Sequence, residues 1–159
     1  MNPTPFRIVP GDFDDPRVRA LLAHHVSSAR ENSPPGTSYA LDLSGLRTPD
    51  VRFWTAWDGE TLVAMGALKR LDARHGEVKS MHTLAARRRS GVASAMLGHI
   101  LAAARAAGMT RVSLETGTND SYLAARELYK RHGFVPCDPF GDYLPSAHNC
   151  FFTLELGPA

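Results

Sequence analysis

Apolar positions early in the chain repeat at helical spacing once: Val18, Leu21, Leu22, Val26 and Ala29 predict an amphipathic helix running to about Glu31. Asp14 or Asp15 just before Pro16 supplies an N-cap with proline in the first turn. Before it, Phe6-Arg7-Ile8-Val9 alternates as a first strand. After it, Asn32-Ser33-Pro34-Pro35-Gly36 cannot continue a helix. Residues 37–48 have no clear period and leave room for one short helix around Leu41–Leu46.

Between Val51 and Thr83 the pattern changes to β. Val51 to Trp57 is rich in aromatic and β-branched residues, and Asp58-Gly59 forms a hairpin turn into a strand from Leu62 to Leu71. The turn residues Asp72 to Gly76 then lead into Glu77-Val78-Lys79-Ser80-Met81-His82-Thr83. Short connections predict an antiparallel meander. Helical spacing returns over residues 91–107, where Val92, Met96, Ile100 and Ala103 share a stripe flanked by alanines small enough for close approach to a sheet. Gly108 ends that helix. A strand over Arg111–Thr116 follows, then a helix from about Tyr122 to Arg131, a strand opened by Gly133-Phe134-Val135, and a last strand from Asn149 to Leu156. The order β-α-(α)-β-β-β-α-β-α-β-β describes an α/β domain with a mixed, mostly antiparallel sheet of about seven strands flanked by helices.

The 159 residues suit a single domain, taken as 1–159. A net charge of +2 is too small to point to nucleic acid or an anionic membrane. Cys137 and Cys150 are the only cysteines and form no CxxC pair, so no zinc site is expected and free thiols of a reducing, cytoplasmic setting are. Met1 to Pro5 lacks the basic and apolar regions of a signal peptide, and no apolar run is long enough for a membrane span.

The residues that carry chemistry lie between the third meander strand and the long helix. In Arg87-Arg88-Arg89-Ser90-Gly91-Val92-Ala93 a strand, a turn and a helix N-terminus meet, and such a junction presents unpaired N–H groups to an anion. Gly91 permits close backbone approach, Ala93 does not intrude, and the arginines add charge-assisted contacts. The Gly-Lys-Ser/Thr of a P-loop is missing, which disfavours Mg²⁺-dependent nucleotide hydrolysis.

Arg88-x-x-Gly91-x-Ala93 resembles the Arg/Gln-x-x-Gly-x-Gly/Ala signature of the GNAT superfamily of acetyl-CoA-dependent acyltransferases. The downstream segment Ala125-x-x-Leu128-Tyr129-x-x-x-Gly133-Phe134 and the element order over nearly the whole chain resemble that family too. The resemblance implies a fourth strand that bulges and splays from the fifth, with Met81, His82 and Thr83 along pantetheine. The segment Arg88, Arg89, Ser90, Gly91, Val92 and Ala93 would hold the pyrophosphate of acetyl-CoA. It further implies Glu77 as general base, Tyr129 as general acid near the cofactor sulfur, and a backbone N–H near Met81 as donor to the carbonyl oxygen. One departure is Tyr122, standing where many members have a cofactor-contacting asparagine; Asn119 is the candidate replacement.

Neither cysteine lies by a helix N-terminus or paired histidine, so direct acetyl transfer to a primary amine is expected rather than an acyl-enzyme. The acceptor expected is a small-molecule or amino-acid-like amine. A non-catalytic acyl-CoA-binding module and a protein N-terminal or lysine acetyltransferase remain alternatives, and dimers are common in the family. His24-His25 reads as a surface detail, and Phe53, Trp54 and Trp57 as strand core. Ser33-Pro34-Pro35 and Pro139 to Tyr143 are candidates for the acceptor wall, the latter resembling a cleft-bordering loop in a bacterial branch of the superfamily.

Overall fold

A computed structural model describes residues 6–35 and 40–158. The elements, in chain order, are β1 (Arg7–Pro10), α1 (Pro16–Glu31), α2 (Leu43–Leu46), β2 (Val51–Asp58), β3 (Thr61–Arg70), β4 (His75–Thr83), α3 (Val92–Ala106), β5 (Arg111–Gly117), α4 (Leu123–Arg131), β6 (Val135–Pro136) and β7 (Asn149–Glu155). One sheet has the order β1-β2-β3-β4-β5-β7-β6. Every neighbouring pair is antiparallel except β4 and β5, which are parallel. The α/β class, the mixed sheet and the β2-β3-β4 meander are therefore as the sequence predicts.

The differences lie at element ends. β4 begins at His75, because Asp72 Oδ1 accepts from the Arg74 and His75 amides at 2.8 and 2.9 Å and closes the turn earlier. The strand at Val135 has two residues only, since Pro136 lacks an N–H and β6 is the sheet edge. Residues 120–122 form a 3-10 turn capped by Asn119, and α4 proper starts at Leu123. The short helix is Leu43–Leu46, capped by Asp42. The readings that fall on Met1–Pro5, on Gly36 and on residues 37–39 lie outside the described residues.

Helices cover both faces of the sheet. The α1 residues Val18, Leu21 and Leu22 pack with Leu46, Phe53, Trp57 and Met65 on one face. On the other, the α3 residues Met96, Leu97, Ile100 and Ala104 pack with Trp54, Leu68, Val112 and Leu114. All three aromatic residues of β2 are buried, as expected. Close approach of α3 depends on Gly66: a Cβ there would lie 2.8 Å from Ile100 Cδ1 and 2.9 Å from Met96 Cγ.

Candidate active site

The site forms where the central strands part. β4 and β5 pair only over three positions, ending at Glu77 opposite Ser113. Beyond Glu77 the outer edge of β4 has no strand partner among the described residues, while its inner edge stays on β3. The register on β3 slips at the same place: Met65 faces His82 and Ala67 faces Lys79, so Ser80 and Met81 together oppose Gly66. This is a β-bulge, with Ser80 at φ 56°. The bulge bends β4 away from β5, producing the splay the sequence could only imply by resemblance.

A cleft of about 130 Å³ fills the gap, lined by Glu77 to Met81 on β4, Glu115 to Gly117 on β5 and Tyr122, Ala125 and Tyr129 beside α4. His25, Ala29 and Ser33 of α1 and its C-terminal turn, Ala40 and the exposed His148 close its other side. Glu77 and Tyr129, remote in sequence, thus share one cavity, and Ser33 of the expected acceptor wall borders it.

Glu77 is only 3% exposed. Lys79 Nζ donates to its Oε2 at 3.2 Å and to the Tyr143 hydroxyl oxygen at 2.7 Å, and the Tyr143 hydroxyl donates to the same Oε2. The three side chains make a closed ring, which satisfies a buried ion pair that would otherwise be costly. Tyr143 comes from the irregular segment between β6 and β7, anchored by ring contacts to Phe140 at 5.2 Å and Phe151 at 5.5 Å.

Tyr129 is 6% exposed, stacks edge-on with Phe134 at 5.8 Å, and lines the cleft. Burial, and secondarily the Glu115 charge, push its phenol above the usual range, so it stays protonated and can donate. Glu115 itself is pushed up to about 7, mainly by burial, with Asn149 and Lys79 drawing it back and Glu77 adding to the rise. This second carboxyl was missed from the sequence. Its signal was a glutamate inside the apolar alternation Val112-Ser113-Leu114-Glu115-Thr116.

The other expected residues fall into two groups. Met81 packs toward α3, its Sδ 3.0 Å from where a Gly66 Cβ would be, and the His82 ring turns toward α1. Thr83 is the last residue of β4. His25, read as a surface detail, is instead partly buried: its Nδ1 lies 3.0 Å from His82 Nδ1, because the final turns of α1 pack on the end of β4. Asn119 spends its amide on Asn32 O at 2.7 Å and its Oδ1 on the Ser121 amide at 3.1 Å. It ties the end of α1 to the turn before α4, and Tyr122 lies in the cleft with its hydroxyl 3.3 Å from Ser33 Oγ.

The junction before α3 fits a phosphate. Arg89 and Gly91 have φ of 66° and 88°, flanking Ser90 with left-handed residues, and Gly91 is an N-cap without side-chain cap bonds. The first amides of α3 have no carbonyl within the helix to donate to, and a Cβ at Gly91 would meet nothing within 4 Å. A second fit for the donor is Ser80 Oγ, buried at the bulge with no hydrogen-bond partner among the described residues. Arg87 is held away by an ion pair to Asp58. Among the described residues no group of three His, Cys, Asp or Glu could hold a metal, and no helix is long and apolar enough to cross a membrane.

Comparison with known proteins agrees with this architecture. The sequence model of the Acetyltransferase (GNAT) family matches residues 18–134. The chain is 48% identical over 151 residues to the uncharacterised N-acetyltransferase YedL of Escherichia coli K12, covering 95% of each. It is 45% identical over 145 residues to the uncharacterised N-acetyltransferase YsnE of Bacillus subtilis 168, covering 91% of this chain and 96% of that one. A solved structure from Klebsiella pneumoniae, assigned as an acyl-CoA N-acyltransferase, superimposes with a TM-score of 0.80 at 25% identity, covering 96% of this chain and 98% of the other. An Elizabethkingia anophelis GNAT structure with acetyl-CoA bound shares the fold, with a TM-score of 0.71 at 15% identity and coverage of 97% and 100%. A strand pair that opens at a bulge, an anion cradle at a helix start and relatives of this closeness lead to one conclusion: the chain belongs to the GNAT family and is an acetyl-CoA-dependent N-acetyltransferase.

Proposed function

We propose that the protein transfers acetyl directly to a primary amine of a small-molecule or amino-acid-like acceptor, with Glu77 as base and Tyr129 as acid, in a cytoplasmic setting. The observation that carries this reading is the placement of both side chains on one cleft, at the point where β4 and β5 separate. Bound acetyl-CoA supplies the activated acyl group. The amides from Arg88 to Ala93 hold its pyrophosphate and the free edge of β4 from Met81 to Thr83 lines its pantetheine, while Asn119 acts at one remove, by fixing the turn before α4 that carries Tyr122. Glu77 takes the proton that the acceptor nitrogen must lose to attack, directly or through a water. The Tyr129 hydroxyl gives its proton to the departing sulfur, and solvent exchange restores both groups. The Met81 N–H, at the bulge, polarises the carbonyl oxygen.

A second assignment of the base is favoured by proton affinity. Glu115 sits at about 7, near working pH, where a general base is most effective. Glu77 would then serve to hold Lys79 and Tyr143. Thiol release from acetyl-CoA over an amine panel separates the two. Glu77→Gln lowers turnover roughly 10²–10⁴-fold with acetyl-CoA affinity unchanged if Glu77 is the base. Unaltered turnover in that variant, with the loss transferred to Glu115→Gln, moves the role to Glu115. Activity confined to peptide N-termini or lysines would replace the small-molecule acceptor by a protein.

A further inference from the structure

Three charged side chains line the cleft: Glu77, Lys79 and Glu115. Lys79 is the only lysine or arginine among its described lining residues, and its ammonium is already engaged. It lies 3.2 Å from Glu77 Oε2 and 2.7 Å from the Tyr143 oxygen, with its side chain only 10% exposed. A substrate carboxylate or phosphate would therefore have to share an ammonium whose charge a buried carboxylate already balances.

Two neighbouring groups are partly engaged or uncharged. Arg126 Nη1 donates to the carbonyls of Gly117 at 2.8 Å and Asn119 at 2.9 Å. The His25 ring is held neutral near neutral pH by burial and by its neighbours His82 and His24. Glu115, by contrast, has no ion-pair partner among the described residues, so an arriving ammonium supplies the counter-charge it lacks. Among its described lining residues the cleft offers an arriving ammonium the Glu115 carboxyl, and offers a substrate anion no lysine or arginine that is not already paired.

We infer that the acceptor is an amine with no ionised acid group beside its amino group, such as a decarboxylated amine, and that the Glu77–Lys79–Tyr143 ring excludes free α-amino acids. This rests on the small-amine reading above and narrows it. The ring acts as a specificity device: by spending the one cleft cation internally it leaves a carboxylated acceptor with an unpaired charge.

Matched pairs test it on the intact protein with saturating acetyl-CoA: tyramine with tyrosine, histamine with histidine, and cadaverine with lysine. The expected result is a kcat/KM for the decarboxylated member about ten-fold or more above its partner in every pair that is turned over, equivalent to about 1.4 kcal/mol. Equal or better turnover of the amino acids overturns the inference while leaving the small-amine reading intact. Binding of acetyl-CoA without turnover of any of the six overturns both.

Discussion

His25 on α1 and His82 on β4 face one another Nδ1 to Nδ1 at 3.0 Å, so one ring donates its proton to the other and the pair holds the helix against the strand that lines the cleft. His24 adds an edge-on ring contact to His82 at 5.4 Å. Burial is the main reason both His25 and His82 are pushed down to about 4; His82 and His24 add to it for His25, and His24 and Arg88 for His82.

The sign of the pH effect follows. Between about 6.5 and about 4 the unfolded chain binds protons that the folded pair refuses, so this contribution to stability is lost as pH falls through that window. Glu115 works oppositely: its raised affinity stabilises the fold at low pH and is lost as pH rises from about 4.5 to about 7. The histidine term is therefore read as a difference. Thermal unfolding of wild type against His82→Gln should show the variant losing less Tm than wild type on acidification from neutral pH to about 4. Parallel curves would mean the two rings titrate freely.

Glu115→Gln isolates the other half. Removing a carboxyl that is costly to ionise in place should raise Tm above pH 7 and leave it little changed below about pH 4.5. If Glu115 is also the base, activity of the wild type falls as pH drops below about 7 and this variant loses that limb along with most of its turnover. A variant less stable at high pH would contradict the burial argument.

Tyr143→Phe keeps the ring contacts to Phe140 and Phe151 but removes the hydroxyl that completes the Glu77–Lys79 ring. A loss of about 1–2 kcal/mol in denaturant unfolding is expected for a buried hydrogen bond of this kind. Turnover should fall roughly ten-fold as the Glu77 carboxylate loses its fixed orientation, with acetyl-CoA affinity unchanged by titration calorimetry. A silent substitution would reduce Tyr143 to packing.

Gly91 separates backbone strain from ligand contact. Its φ of 88° costs an L residue roughly 1–2 kcal/mol, yet a Cβ meets no protein atom within 4 Å. Gly91→Ala should therefore lower Tm modestly through strain alone, and weaken acetyl-CoA binding by less than a longer or charged side chain does, since its Cβ takes only part of the space left for close phosphate approach. Gly91→Glu puts a carboxylate where the pyrophosphate is to sit, and should weaken binding by about 100-fold or more, near 2.7 kcal/mol. Calorimetry showing retained tight binding would misplace the phosphate site.

Gly66→Ala tests how α3 is seated. The added Cβ falls 2.8 Å from Ile100 Cδ1, 2.9 Å from Met96 Cγ and 3.0 Å from Met81 Sδ, closer than such atoms pack. About 1–3 kcal/mol of destabilisation is expected, together with weaker acetyl-CoA binding, because the displaced helix begins at the proposed phosphate site and Met81 sits in the bulge. Wild-type Tm would show that the helix yields without cost.

The sequence by itself determined the order of elements, the meander and the turn at Gly91, which are local properties of hydrophobic period and of proline and glycine punctuation. The chemical class of the reaction came from a family resemblance that joins the six residues from Arg88 to Ala93 to the Ala125–Phe134 segment and to the element order of nearly the whole chain. What only the tertiary structure decided depends on side chains far apart in the chain. Glu115 looks like one polar residue in a strand until the splay turns it into a cleft where burial raises its proton affinity. Tyr143 reaches Glu77 across 66 residues, and His25 reaches His82 across 57. Asn119, legible only as a candidate ligand, has its hydrogen bonds taken by Asn32 and Ser121. A bulge has no signature of its own in Lys79-Ser80-Met81, since the slip belongs to the register between β4 and β3 rather than to either strand.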